Sequence, residues 1–161
     1  LYQNGSGYAG ELGHTTIKYD GEQCACGNRG CLELYANIHT LIKSLAHAGA
    51  LEAEDISPSW FEELSLMDKC DKVFSDTALK LSYALINAVN LFNPQKIFLG
   101  HEGCRLPEKY IAEMEEYVNR HIFAAKVNKI KIERSYFGED SPLYGGICCV
   151  LDKLFDGDIF L

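Results

Sequence analysis

Residues 11–33 read ELGHTTIKYDGEQCACGNRGCLE, a short stretch that contains one histidine and three cysteines. Cys24 and Cys26 flank a single alanine, and Cys31 follows a turn with two glycines, which tolerate positive φ. This spacing predicts that three thiolates converge on one point. His14 is the natural fourth ligand, because three cysteines and one histidine form an established tetrahedral set for structural zinc.

Two other interpretations of these cysteines remain open, a disulfide framework and incidental thiols. The chain has seven cysteines, so they cannot all pair within one monomer. The other four lie singly or as neighbours in helical or turn contexts, where cysteine commonly behaves as a small buried hydrophobic residue. They are Cys70, Cys104, Cys148 and Cys149. A reducing cytoplasm fits this usage better than an oxidising compartment, so we favour three metal-bound thiols and four free ones.

Composition indicates one globular domain rather than a disordered or repeat protein. The 161 residues are 47% hydrophobic and 24% charged. A net charge of −8 and scattered basic residues disfavour binding of nucleic acid or anionic membranes by this chain itself. Apolar runs stay well below the ~20 residues of a membrane span, and the chain opens without a signal-peptide pattern. We therefore expect a soluble, cytoplasmic protein without a membrane partner.

Hydrophobic periodicity predicts alternating helices and strands after residue 31. The Gly-rich loop at 4–10 follows Leu1–Gln3, which reads as the end of a strand in a chain that begins mid-domain. Predicted next are a helix over 32–48 with Gly49 at its C-terminus, a helix start at Ser57–Pro58, and a helix over 76–92 capped by Asp76–Thr77. A buried strand at 96–100, a helix over 106–122, a strand at 129–134 and a helix over 142–155 complete the order.

This order predicts an α/β fold with a largely parallel sheet and crossover helices. Ligand sites in such sheets lie at the carboxyl ends of the strands, here 100–103 and 135–138. In the last helix, Tyr144 and the Cys148–Cys149 pair are predicted to lie in the core.

Two segments of the chain, AGELGH at 9–14 and CACGNRGCLE at 24–33, together resemble the signature of the ROK family (repressors, open reading frames and sugar kinases). The resemblance implies the C-terminal half of an actin-like (ribonuclease H-like) ATPase-type fold with a zinc-binding loop. Residues 1–33 would supply a strand end and the zinc and sugar loop, and residues 34–161 the helices and parallel strands. The N-terminal half and any DNA-binding domain would lie outside this chain.

The same resemblance implies roles for the charged and metal-ligating side chains of the loop. The implied zinc ligands are His14, Cys24, Cys26 and Cys31, and the implied contacts to sugar hydroxyls are Glu11, His14 and Glu33. One histidine can serve both purposes, because its second ring nitrogen stays free to donate a hydrogen bond. From the residues alone, the two glutamates have a second interpretation, as a solvated surface acid and a favourable charge near a helix N-terminus.

Two functions follow from the resemblance, and we favour the first. The chain would be the effector-sensing part of a transcriptional regulator that binds a sugar or sugar phosphate and contacts DNA only through a segment outside these residues. The alternative is an ATP-dependent hexose or N-acetylhexosamine kinase, which would use ATP and Mg²⁺. We assign no catalytic or nucleotide-binding residue here, because neither an aspartate base nor a phosphate-binding loop can be assigned.

The turn after the predicted strand at 96–100 also disfavours a kinase. His101 and Glu102 would crowd a nucleotide there, and the carboxylate would repel its phosphates. The alternative is that both side chains point into solvent, as polar loop residues usually do. We further expect a homodimer, because an exposed sheet edge must be covered.

Overall fold

The computed structural model describes residues 8–50, 52 and 56–157. The predicted strand end at Leu1–Gln3 therefore lies outside the described residues. The described elements, in chain order, are α1 (Glu33–Ala36), α2 (Ile38–His47), α3 (Phe61–Ser65), α4 (Asp68–Phe92), β1 (Lys96–Leu99), α5 (Glu108–His121), β2 (Lys131–Arg134) and α6 (Ser141–Phe155). The predicted alternation of helices and strands is confirmed.

The two described strands form a parallel pair in which Ile97 lies opposite Ile132. α5 supplies the crossover, as parallel pairing requires. The prediction that β1 is fully buried is wrong. Lys96 and Phe98 are exposed, while Ile97 and Leu99 are partly buried. Alternate side chains of a strand point to opposite faces, and the described helices cover only the face of Ile97 and Leu99.

α4 is the central helix of the described structure, as its apolar composition predicts, but its predicted start is wrong. The helix begins at Asp68 instead of at an Asp76–Thr77 cap. The Asp76 carboxylate pairs with Lys80 at 2.9 Å, and the Thr77 hydroxyl donates to a carbonyl one turn earlier. The helical period already runs before position 76, because Cys70 and Phe74 are buried four residues apart.

The core lies between α4, α5 and the shorter helices, with aromatic side chains at its centre. The ring of Phe74 meets the ring of Phe61 edge-on, with 5.3 Å between the ring centroids, and stacks on Tyr110 with 5.1 Å between the centroids. All three side chains are buried. The phenol hydroxyl of Tyr110 donates to the Asp71 carboxylate at 2.9 Å, which satisfies its polar atom inside the core.

The helix predicted over 32–48 is interrupted at Asn37. Asn37 has extended backbone angles, and its side chain accepts a hydrogen bond from the Thr40 N–H at 2.7 Å. The extended backbone at Asn37 ends α1 after one turn, and its side chain caps the start of α2. The predicted glycine at the C-terminus of α2 is confirmed, since Gly49 has a φ of +76°. Glu33 lies in the first turn of α1, also as predicted.

The predicted core position of α6 is wrong. Cys148 is exposed, Cys149 is half-buried and Tyr144 is 42% exposed. Apolar periodicity identifies a face that favours burial, but Ile147 and Val150 on α6 are exposed in the described part of the chain. None of the helices in the described part of the chain combines the length and apolar content needed to cross a bilayer.

Candidate metal centre

The backbone of the loop before α1 brings its two ends together. A 3-10 turn at Leu12–His14 is followed by an antiparallel bridge between Thr16 and Cys31. The Leu32 N–H donates to the Thr15 carbonyl at 2.9 Å and continues this pairing. His14 and Cys31 therefore meet at the same end of the loop, although they are far apart in sequence.

A tight turn presents the other two cysteines. The Gly27 N–H donates to the Cys24 carbonyl at 3.0 Å, and the Cys24 N–H donates to the Asn28 carbonyl at 2.8 Å. Gly27 has a φ of +93° and Gly30 a φ of +64°, which confirms that this turn uses left-handed backbone at its glycines. Cys24 and Cys26 both lie at the start of the turn.

Four potential ligand atoms converge, as the spacing predicts. The ligand atoms of His14, Cys24, Cys26 and Cys31 all lie within 4.8 Å of one another. Cys24 Sγ lies 3.8 Å from His14 Nδ1, and Cys26 Sγ lies 3.7 Å from Cys31 Sγ. A tetrahedron with zinc–sulfur bonds of about 2.3 Å has edges of about 3.8 Å, so this donor set fits a tetrahedral ion.

The structure contradicts the disulfide interpretation. All seven cysteines are free. The 3.7 Å between Cys26 Sγ and Cys31 Sγ is also much longer than a disulfide bond of about 2.05 Å.

The cluster is buried on one side and open on the other. Cys24 and Cys31 are buried, whereas Cys26 is exposed. Burial raises the pKa of the Cys31 thiol to about 12, while a hydrogen bond from the Asn28 backbone lowers the pKa of Cys26. Thiols coordinate metals as thiolates, so loading a metal here releases protons.

The second nitrogen of the histidine ring faces α1. His14 Nε2 lies 3.4 Å from Glu33 Oε2, and the side chains are 38% and 51% exposed. Glu11, three residues earlier, is exposed, and its carbonyl accepts the His14 N–H at 3.1 Å. The structure thus joins His14 and Glu33 directly. It connects Glu11 to the cluster through the backbone.

The sequence reasoning missed residues that hold the loop in shape. Asn28 Nδ2 donates to Thr16 Oγ1 at 3.0 Å, and the Glu22 N–H donates to the Tyr35 hydroxyl at 2.9 Å. Polar residues in turns are a weak signal for such pairs, because the partners are separated by twelve or thirteen residues.

A cavity of about 450 Å³ opens beside Glu33. Its walls are mostly apolar and include Leu41, Phe61 and Leu99, and Glu102 also lines it. A cavity of this size and character, with a few polar groups, is typical of a small-molecule site.

The carboxyl ends of the two strands meet, as a parallel pair requires. The Ser135 N–H donates to the Leu99 carbonyl at 2.8 Å, and the His101 N–H donates to Ser141 Oγ at 2.9 Å. The side chains of His101 and Glu102 are 61% and 45% exposed, with 3.9 Å between Nδ1 and Oε2. The His101 side chain is largely exposed, whereas Glu102 also lines the cavity beside Glu33, so the interpretation that both side chains point into solvent stays a prediction.

Comparison with known protein families matches most of the chain to the ROK family, whose model covers residues 1–153. A xylose repressor from Caldicellulosiruptor bescii is 30% identical over 96% of this chain and 42% of its own length. An N-acetylmannosamine kinase from Haemophilus influenzae is 29% identical over 97% of this chain and 50% of its own length. Regulators and kinases are therefore both among the relatives.

Solved structures agree with the family match. A ROK family transcriptional regulator, a homologue of Escherichia coli Mlc, superposes with a TM-score of 0.67 at 26% identity. The superposition covers 80% of this chain and 35% of that regulator. The chain spans about 40% of the length of the xylose repressors that it matches.

Proposed function

The chain belongs to the ROK family, and from this premise we propose that it is the sugar-sensing effector part of a transcriptional regulator. A structural zinc held by the cluster would order the sugar-binding loop. The observation that carries this proposal is the 3.4 Å approach of His14 Nε2 to Glu33 Oε2 at the edge of the cluster. DNA contact belongs, in this proposal, to a segment outside these 161 residues, and a homodimer remains a prediction.

The zinc would be a scaffold in this proposal. Four protein ligands, namely His14, Cys24, Cys26 and Cys31, leave no open position for water. Coordination through Nδ1 would fix the imidazole so that Nε2–H points at the Glu33 side. A carboxylate that accepts from the second nitrogen of a ligating histidine is a common support for metal sites.

Glu33 and His14 offer complementary groups to a sugar hydroxyl. Nε2–H of the imidazole can donate to the hydroxyl oxygen, while the Glu33 carboxylate accepts the hydroxyl proton. Glu11 would add a second carboxylate at the exposed end of the loop. Of these three residues Glu33 is the one that lines the cavity, which would give space for the ring next to its carboxylate. Carboxylates repel phosphate, so these residues favour an uncharged part of the sugar.

The relatives suggest which ligand to test first. The name of the Caldicellulosiruptor bescii relative indicates a response to xylose. We therefore propose xylose as the first candidate, followed by hexoses, N-acetylhexosamines and their phosphates.

Metal analysis and thermal melting test the proposal. We expect about one zinc per chain and a rise in melting temperature with xylose or another sugar, but no rise with Mg-ATP. Glu33→Gln should weaken sugar binding about 10-fold or more, because it removes a charged hydrogen-bond acceptor. Glu22→Gln, an exposed acid on the same loop, is the matched control and should bind as the parent does.

The kinase alternative makes the opposite prediction in the same experiment. It is supported by the N-acetylmannosamine kinase relative, which is 29% identical to this chain, compared with 30% for the xylose repressor. A melting rise with Mg-ATP, together with ADP release that depends on sugar, would establish the kinase. A protein without zinc would remove the basis for the sensor proposal.

A further inference from the structure

Tyr35 connects the two parts of the candidate site. It lies on α1 two residues after Glu33, and its hydroxyl accepts a hydrogen bond from the Glu22 N–H at 2.9 Å. Glu22 is part of the metal loop, two residues before Cys24. One side chain of the helix that carries Glu33 is therefore bound to the backbone of the segment that presents the cysteines.

The phenol oxygen of Tyr35 is packed closely against that segment. A Cβ at Gly21 would overlap the Tyr35 hydroxyl oxygen and lie 2.7 Å from the Gly30 Cα. The Gly21 carbonyl also accepts a hydrogen bond from Arg29 Nη1 at 3.2 Å. Glycine at position 21 therefore leaves the space that the phenol occupies.

α1 depends on such contacts for its position. The helix spans only Glu33–Ala36, and no side chain caps its N-terminus. A single helical turn is unstable by itself, because nucleation fixes several dihedrals for one hydrogen bond. The Leu32–Thr15 backbone bond holds the start of this helix on the metal loop, and the Tyr35 hydrogen bond adds a side-chain contact to the same loop, while α4 and α2 pack against the helix elsewhere.

We infer that Tyr35 is a positioning residue, which fixes the separation between the Glu33 carboxylate and the metal-bound His14 by holding α1 against the metal loop. The inference deepens the proposed function and rests on it for its effect on sugar. Its effect on the metal does not depend on sugar binding. Without the hydroxyl, the loop and α1 would move relative to each other, so that both metal retention and sugar affinity would fall.

Tyr35→Phe in the zinc-loaded protein tests this inference, because it removes only the hydroxyl oxygen. We expect unchanged zinc content, release of zinc to a chelating dye about 3- to 10-fold faster, and a sugar Kd raised by a similar factor. In the cobalt-substituted protein, the visible absorption bands should broaden, because the thiolate geometry is less uniform.

Tyr110→Phe is the matched control. It removes the same atom from a buried tyrosine of the core, whose hydroxyl donates to Asp71. We expect it to lower the melting temperature while zinc release and sugar Kd stay at the parent values. If Tyr35→Phe also lowers the melting temperature but leaves zinc release and sugar Kd at the parent values, its hydroxyl has only a structural role and the inference is overturned.

Gly21→Ala disturbs the same contact from the side of the loop. Its methyl group would displace the phenol oxygen and also press on the Gly30 Cα, so it should accelerate zinc release at least as much as Tyr35→Phe. Unchanged zinc release in Tyr35→Phe refutes the positioning role whatever Gly21→Ala shows. If the parent protein binds zinc but no tested sugar, the proposed function fails, while the zinc measurements still decide the role of Tyr35.

Discussion

Gly30→Ala should disrupt the metal loop, and Gly27→Ala should not. Both glycines have positive φ, +64° at Gly30 and +93° at Gly27. A Cβ at Gly27 meets nothing within 4 Å, whereas a Cβ at Gly30 would collide with the Lys18 carbonyl oxygen and lie 2.6 Å from its carbon. The pair therefore separates backbone strain from steric overlap.

The expected difference can be worked from the contacts. Alanine in the left-handed region costs about 1–2 kcal/mol at either position. At Gly30, displacement of the Lys18 carbonyl also breaks its hydrogen bond from the Gly21 N–H, 3.0 Å long, and the bond from the Ile17 N–H to the Gly30 carbonyl, 2.9 Å long. Two such bonds contribute about 2 kcal/mol, which equals about a 30-fold loss of metal affinity.

Zinc competition against a chelating dye measures this difference. We expect the zinc Kd of Gly30→Ala to exceed that of Gly27→Ala by about 30-fold, since the strain at the two positions cancels. Far-UV circular dichroism of both variants checks that the helices remain. Equal zinc affinities of the two variants would refute the claim that the packing of Gly30 on Lys18 shapes the metal site.

Three further predictions concern the core and the loop. Hydrogen bonding from Lys109 lowers the pKa of Asp71. The Asp71 carboxylate therefore stabilises the fold above the usual aspartate pKa, and this stabilisation is lost as the pH falls through the lowered pKa. In urea unfolding, Asp71→Asn should make the free energy of unfolding depend less on pH in this acidic range. Phe74→Ala should cost about 3–5 kcal/mol in the same assay, whereas Phe123→Ala, at a 97% exposed side chain, should cost almost nothing. Lys18 is already exposed but is held in the loop by backbone hydrogen bonds, so chelation of the metal should unfold the loop and let trypsin cleave after Lys18, and added zinc should restore protection.

The local chemistry of the loop was predictable because it depends on short spacings. Cys24, Cys26 and Cys31 are separated by one alanine and one glycine turn, and so few residues leave little freedom in where the thiols can point. Gly27 and Gly30 adopt positive φ, as turn glycines tend to do. The resemblance to the ROK family rested on the same segments, and the family match confirms it.

Element boundaries were less predictable, because local patterns compete with tertiary packing. The predicted start of α4 is eight residues late, since Asp76–Thr77 suggested a cap where the helix in fact continues back to Asp68. Asn37 interrupts a continuous apolar pattern, and only its hydrogen bond to the Thr40 N–H shows that it is a cap. Burial of α6 was overestimated, because apolar periodicity does not state which element lies opposite.

The sequence by itself determined the convergence of one histidine and three cysteines, the α/β order and the family, since these follow from residue types at short separation. Only the tertiary structure decided which groups meet across long separations. It placed His14 Nε2 against Glu33, Tyr35 against Glu22, and Asn28 against Thr16. Such contacts arise when backbone bridges close the loop, and no local preference of the individual residues encodes the partner across the gap.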